Sequence, residues 1–505
     1  MAVAAVAPCR AADVTAFEIS RLIDHRLGID AVDESRIASD AEFLRRMTLD
    51  LAGRIPTIAE THEYLGNTSE SRRADAIDRL MHSGIYYRNM ATVWRRSWVP
   101  QADTREFAAV TDDFELWLAH RLREGAPYDA LVAEIMTLDS SRADVPMTPI
   151  GFYDANQSKP ENLAASSTRA FLGINLDCAQ CHNHPFSRWT REQFWQTAAF
   201  FARPEVDDHG QSKPPRVRIP ETDLEYEPTL LNKAEIQWPA KLDSVSLRQV
   251  LVRWMKDNPE RLLAKNGVNR LWAHFFGEAI IEPMDDLSRD EFQTGARAEL
   301  LNDLAEAFVA SGYRLDVIVE GIVSSRAYRL SSFASDARRE DSSASVPGDA
   351  ASLRLVSATV RGLTGEQLYD SLQTAAGLPS ERTDLSGGST RSRRREFAAV
   401  FYVERPAGAE RSISQALTLM NGSFVNELTS VKGNPVLASV LSSPFTSFDE
   451  QIDTLFIAVV GRHARTAELE VVKRSFDAQA NATREQNLGN LFWVLVNSSE
   501  FNTNH

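Results

Sequence analysis

The chain has 505 residues, of which 43% are hydrophobic and 25% charged, and a formal net charge of −15. This length exceeds what one hydrophobic core usually supports, so two or more domains are expected, with the composition of a soluble globular protein. The acidic balance argues against nucleic acid as the main partner, because phosphate binding needs basic surface, and no apolar run reaches transmembrane length.

The first residues, Met1-Ala2-Val3-Ala4-Ala5-Val6-Ala7-Pro8 followed by Cys9-Arg10, are small and apolar. They resemble the tail of a secretory signal without its basic start, so residues 1–12 are expected to be a signal-peptide remnant. Asp13 is placed to cap a helix with Val14, Phe17, Leu22, Ile23 and Leu27 at helical spacing, stopped by Gly28. Ser39 and Glu42 form a capping-box pattern ahead of Phe43, Leu44, Met47 and Leu51, with Gly53 and Pro56 closing that helix. Further helices are expected over 73–81, 114–123 and 128–138. Strand-like alternation is scarce, and the fold class expected is mainly α: two helical domains, 13–202 and 246–505, joined by a Pro-rich linker with at most minor β structure.

Near the end of the first domain comes Cys178-Ala179-Gln180-Cys181-His182, which uses two of the three cysteines. Cys-x-x-Cys-His is the attachment pattern for haem c: two thiols bond to the porphyrin and the next histidine ligates iron. Two other chemistries draw on the same residues. Cys178, Cys181, His182 and His184 could contribute to a zinc or iron site, although four ligands within seven residues wrap one ion with difficulty. Cys178 and Cys181 alone could form a redox dithiol or be structural thiols. Thr190 and Gln193 fit a capping box, and Phe194, Trp195, Ala198 and Phe201 make one apolar helical face. With Phe171, Leu172 and Leu176 upstream, these aromatics are expected to wall the cysteine loop, although such a stripe also suits an ordinary core. For a sixth iron ligand, His209, His274, Met147 and Met284 are candidates.

Six prolines between 204 and 239 mark the linker, 203–245, with one or two short extended pieces expected. Helical periodicity returns at 247–251 and again over 302–309, stopped by Gly312. The run around 455–460 reads as a buried helix segment. Exposed loops are expected at 331–352 and 380–395, the latter with Arg391, Arg393, Arg394 and Arg395 in solvent. Glu278, Glu282, Asp285 and Asp286 form an acidic cluster beside His274, a candidate site for a cation or for acid–base work. A turn at Pro283, a helix cap at Asp285 or Asp286, an Arg270 ion pair and a core Trp272 account for the same residues structurally.

Several of these stretches together resemble a known domain pair. Phe43-Leu44-Arg45-Arg46-Met47-Thr48-Leu49-Asp50-Leu51-Ala52-Gly53-Arg54-Ile55-Pro56-Thr57 is similar to the start of the planctomycete cytochrome-associated domain, domain of unknown function 1549. The stretch from Cys178 to Phe186, then Trp189 and Ala198-Ala199-Phe200-Phe201, resembles the same domain. Asn269-Arg270-Leu271-Trp272-Ala273-His274-Phe275-Phe276-Gly277, Glu282-Pro283-Met284-Asp285-Asp286, Ser325-Arg326-Ala327-Tyr328 and Asn497-Ser498-Ser499-Glu500-Phe501 resemble its companion, domain of unknown function 1553. The resemblance implies an exported, periplasmic or cell-surface protein and names no reaction. Three functions therefore stand: a c-type haem protein passing electrons to an extracytoplasmic redox or surface partner, a metal-dependent or redox enzyme, and a helical surface scaffold.

Overall fold

The computed structural model describes residues 14–29, 36–100, 108–139, 147–185, 187–206, 212–288, 294–332, 357–379, 389–401, 412–478 and 482–505. The expected signal remnant, the cap at Asp13, His209, and most of the two expected loops lie outside them. In chain order the first helices are α1 (Ala16–Arg26), α2 (Asp40–Ala52), α3 (Ile58–Gly66), α4 (Arg72–Met81), α5 (Gly84–Trp98), α6 (Ala108–Arg123), α7 (Tyr128–Met136), α8 (Ile150–Ala155), α9 (Pro160–Ser167) and α10 (Arg191–Ala198). After the linker follow α11 (Ser244–Asp257), α12 (Leu262–Phe276), α13 (Ala296–Ala310) and α14 (Leu315–Ser324). The last set is α15 (Gly365–Ala376), α16 (Ser389–Val400), α17 (Ile413–Asn421), α18 (Ser423–Leu428), α19 (Pro435–Ser442), α20 (Phe448–Val460), α21 (Thr466–Ala478), α22 (Arg484–Val496) and α23 (Ser499–Asn502). The fold is mainly α, as the periodicity predicts. Its β structure amounts, among the described residues, to three antiparallel pairs of two-residue strands. Two of these, Glu205–Val206 with Ser212–Lys213 and Val217–Arg218 with Glu225–Tyr226, are the short extended pieces of the linker.

Local chemistry sets the helix ends. Thr15 and Glu18 make a reciprocal capping box at the start of α1, as do Thr190 and Gln193 at α10, each satisfying two otherwise unpaired backbone N–H groups. At α2 the box is only half formed: the Ser39 hydroxyl accepts from the Glu42 N–H, while the Glu42 carboxylate is turned to Arg46, Ser331 and Ser332. Glu42 gives up local capping for a tertiary role.

Two hydrophobic cores divide the chain. One gathers residues from Ile19 to Tyr328, so α11–α14 pack with the N-terminal helices. The other runs from Leu363 to Phe501 and takes in Leu49 and Ile55 from the end of α2 and the turn after it. α2 thus belongs to both.

A second link between the cores is ionic. The arginine-rich stretch expected as a solvated loop becomes α16 from Ser389 onward. Arg394 makes two parallel bonds to Asp370 on α15, at 3.0 and 2.9 Å, with both side chains largely buried. The expectation fails because carboxylates on other helices, invisible in a local pattern, draw the arginine inward. Gly365 lets α15 and α16 approach this closely, since a Cβ there would lie 2.6 Å from the Ala398 backbone. On α15, Glu366 is buried between Arg96 (3.1 Å) and Arg95 (3.6 Å) of α5. Burial alone would raise its pKa, but Arg96, Arg394 and Arg95 bring it down to about 2 from an ordinary 4.5. A carboxylate depressed on folding contributes stability above the unfolded pKa and loses it as pH falls through the folded one. Acid unfolding is therefore expected to draw on Glu366 between about pH 4.5 and 2. Glu366→Gln should flatten the urea-midpoint profile over that window, and a variant profile parallel to the wild type would contradict this.

Candidate functional site: the cysteine loop and its support

The Cys-x-x-Cys-His loop is held from below by an unusual turn. α9 passes into a π-helical turn, Thr168–Leu172, which is closed by Gly173 in the left-handed region at φ 61°. A π turn leaves carbonyls without their regular partners, and such turns often mark functional sites. Here two residues of α12 satisfy them: Asn266 Nδ2 donates to the Ala170 carbonyl at 2.6 Å and Arg270 to that of Arg169 at 2.8 Å. Gly173 then meets the 285–288 segment, where the Leu287 N–H donates to its carbonyl at 2.8 Å and Ile174 forms a β-bridge with Asp286. A Cβ at Gly173 would lie 2.8 Å from Leu287 Cδ1, with φ already unfavourable for an L side chain. Gly173→Ala is expected to cost about 2 kcal/mol of stability. Chemical denaturation reads this, and a change under about 0.5 kcal/mol would show that the loop is not held as described.

From this base the chain enters a 3-10 turn, Asp177–Gln180. Residues i and i+3 of a 3-10 turn eclipse one another, which favours Cys178 and Cys181 side by side. Both thiols are free and exposed, as is His182. Ala179 between them is fully buried and anchors the turn. His182 Nδ1 lies 2.8 Å from the Asn183 carbonyl, so a neutral ring carries its proton on Nδ1 and keeps the Nε2 lone pair available. Trp195 Nε1 donates to the Gln180 carbonyl at 3.1 Å, and the His184 N–H donates to the Trp189 carbonyl at 2.9 Å. Arg191 N–H donates to Asn183 Oδ1 at 3.0 Å, tying the loop to the start of α10.

The aromatics near the loop are core residues. Phe171, Phe194, Trp195 and Phe200 are in the hydrophobic core, beneath the loop. Their face is apolar because it packs, and Trp195 supports the site through the Gln180 carbonyl. His184 is half-buried.

The acidic cluster proposed beside His274 disperses. His274 Nε2 faces the Asp50 carbonyl at 3.0 Å, and burial lowers its pKa so that it stays neutral. Asp285 pairs with Arg270 at 2.7 Å, Glu282 accepts from the Ala279 N–H, Asp286 is buried at the Ile174 bridge, and Glu278 is exposed. Neither Asp285 nor Asp286 caps the next helix, whose N-cap is Gly295. Trp272 is core and stacks on Phe276 at 4.2 Å between ring centroids. Among the described residues, no three His, Cys, Asp or Glu side chains converge as a metal site. Of the sixth-ligand candidates, Met147 is exposed, Met284 is half-buried and His274 is engaged with Asp50.

What sequence reasoning missed is the centre on which the family-like motifs meet. Asp50 is fully buried and accepts from Tyr328 Oη (2.7 Å), Arg361 (2.5 Å) and Asn504 Nδ2 (2.7 Å). Arg361 also donates to the His274 carbonyl. Arg46 donates to the carbonyls of Tyr328 and Leu330, both at 2.7 Å, and Arg45 to those of Glu500, Phe501 and Thr503. Burial, with Asp50 beside it, raises the Tyr328 pKa well above 10, so the phenol remains a donor. The signal available in sequence was two arginines and an aspartate within the stretch 43–52, whose other residues apart from Thr48 are apolar.

These features define a mainly α-helical protein with two linked cores and an exposed Cys-x-x-Cys-His loop braced by α12. Residues 18–205 match the PSCyt2 family model, described as protein of unknown function (DUF1549), and residues 247–413 match PSD1, protein of unknown function (DUF1553). The chain thus carries these two domains of unknown function, in that order. No curated protein and no solved structure matches it. Among the described residues, no helix is long and apolar enough to cross a membrane.

Proposed function

We propose that this chain is an exported c-type haem protein that passes electrons, with Cys178 and Cys181 as thioether anchors and His182 as an axial ligand. The observation that carries this reading is the joint exposure of two free thiols one 3-10 turn apart and a neighbouring imidazole whose Nδ1 is already engaged. Metal-bound histidines commonly donate from one ring nitrogen to a carbonyl while the other binds the metal. In this reading Cys178 and Cys181 each add their S–H across a porphyrin vinyl group, with no other product. Haem, when bound, supplies a one-electron redox centre. The α12 contacts to the π turn hold the loop in place during electron transfer. Covalent haem attachment in bacteria takes place outside the cytoplasm, so a periplasmic or cell-surface location and a redox partner there accompany the proposal.

The test is a visible spectrum of the protein exported from a host with c-haem maturation machinery, repeated after acid-acetone extraction. A haem band that stays with the polypeptide and disappears in a Cys178→Ala/Cys181→Ala variant is expected. A colourless, folded product would sink the reading. Metal analysis and thiol titration of that sample would then separate a zinc or iron site, or a redox dithiol, from a scaffold.

A further inference from the structure

α3 lies where the two cores meet: its Tyr64 is buried in the first, and its Ile58 packs against the second. The turn that ends α20 comes up against the turn that starts α3. Gly461 takes φ 74° there, and a Cβ on it would lie 3.3 Å from Pro56 Cγ. This approach brings together two histidines that are distant in the chain. The ring centroids of His62 and His463 are 6.4 Å apart, with 62° between the ring planes. Both side chains are exposed.

His463 is held and oriented. Its Nδ1–H donates to Asp453 Oδ2 at 2.7 Å, while Asp453 Oδ1 accepts from the Ala464 N–H at 2.8 Å, so the carboxylate is fixed on both oxygens. An ionised carboxylate only accepts, so the neutral ring carries its proton on Nδ1 and presents a lone pair on Nε2. A carboxylate behind a histidine is the usual support of a metal-binding imidazole. His62 makes no hydrogen bond or ion pair with any described residue, so neither of its ring nitrogens is committed elsewhere. The neighbouring charges are paired: Arg54 with Glu60, Arg79 with Glu63, and Arg462 with Glu468 and Glu500. Asp453 and the exposed Arg465 remain, so the surface is near neutral and the donor atoms decide the ligand.

We propose that His62 and His463 together bind one divalent ion of the nickel, copper and zinc group, with water in the other positions and Asp453 as the positioning residue. Imidazole nitrogen suits these ions, whereas calcium and magnesium take oxygen ligands. Metal–nitrogen bonds of about 2.0–2.1 Å put the centroids of two imidazoles on one ion about 5–6 Å apart. A small rotation of two exposed side chains closes the difference from the 6.4 Å observed. The ion ties α3 to the end of α20 and so adds to the contact between the cores. The site shares no residue with the cysteine loop and stands whether or not haem is attached there.

Titration calorimetry of the full, untagged chain with Ni2+ tests this. His62→Gln, His463→Gln and the double variant are measured alongside, so that any nickel taken by the cysteine loop appears equally in all four. Chelation predicts that either surface substitution weakens the same binding event about tenfold or more, and that the double variant loses no further event. Asp453→Asn would present an N–H to Nδ1 and move the ring proton to Nε2, and it should weaken nickel about tenfold. Nickel should also raise the melting midpoint of the wild type more than that of the double variant. The proposal is overturned if the wild type binds no more nickel than the double variant. It is overturned equally if the two single substitutions each remove a separate event, since the histidines would then be independent sites.

Discussion

Asp50→Ala is expected to lower the unfolding free energy by about 3 kcal/mol, because it leaves the half-buried Arg361 guanidinium without its carboxylate. The wild-type carboxylate takes hydrogen bonds from Arg361, Tyr328 and Asn504, which come from three separate parts of the chain. Tyr328 and Asn504 lose this acceptor at once, and Arg361 keeps only the His274 carbonyl. Removing one partner of a largely buried charge pair costs more than the pair itself contributes, since the remaining ion reaches little water. Tyr328→Phe removes one hydrogen bond and should cost about 1.5 kcal/mol. Urea denaturation followed by tryptophan fluorescence measures both. If Asp50→Ala cost no more than Tyr328→Phe, the carboxylate would not be the centre of this network.

Arg394→Met should cost about 3 kcal/mol by the same logic within the second core, beside the Glu366 junction. It takes from Asp370, which is 7% exposed, its two-bonded guanidinium partner, and removes a positive charge that helps keep Glu366 ionised. The companion variant decides the cause. Arg394→Met combined with Asp370→Leu replaces the ion pair by apolar contact and is expected to recover most of the loss. A double variant no more stable than Arg394→Met alone would mean that Arg394 acts through packing of its stem and not through its charge.

Much of the local structure is legible in the residues themselves. Glycine after an apolar periodic run ends α2 at Gly53, with φ 69°, because a helix needs a left-handed residue there and glycine takes it without strain. The Thr190/Gln193 box is readable because both partners lie within one turn. Burial of the 455–460 run follows from its composition. The aromatics around Cys178 read correctly as an apolar face that is buried in the core, since periodicity tells which side is buried but not what lies opposite. Arg394 reads as solvated because its partners Asp370 and Glu366 lie more than twenty residues away and on another helix.

The sequence by itself determined the helical class, the positions of caps and stops, the pair of domains, and a stretch with the residue types for covalent cofactor attachment. Those properties depend on interactions within a turn or two, or on residue identity alone. Only the tertiary structure decided that α12 braces the cysteine loop through Asn266 and Arg270, that His274 serves Asp50 and not an acidic cluster, and that Arg45, Arg46 and Asp50 bind distant chain segments together. The physical reason is that a charged side chain in a helix has no preferred partner until packing removes water from around it. Its partner is then whichever polar group is buried beside it, often hundreds of residues away.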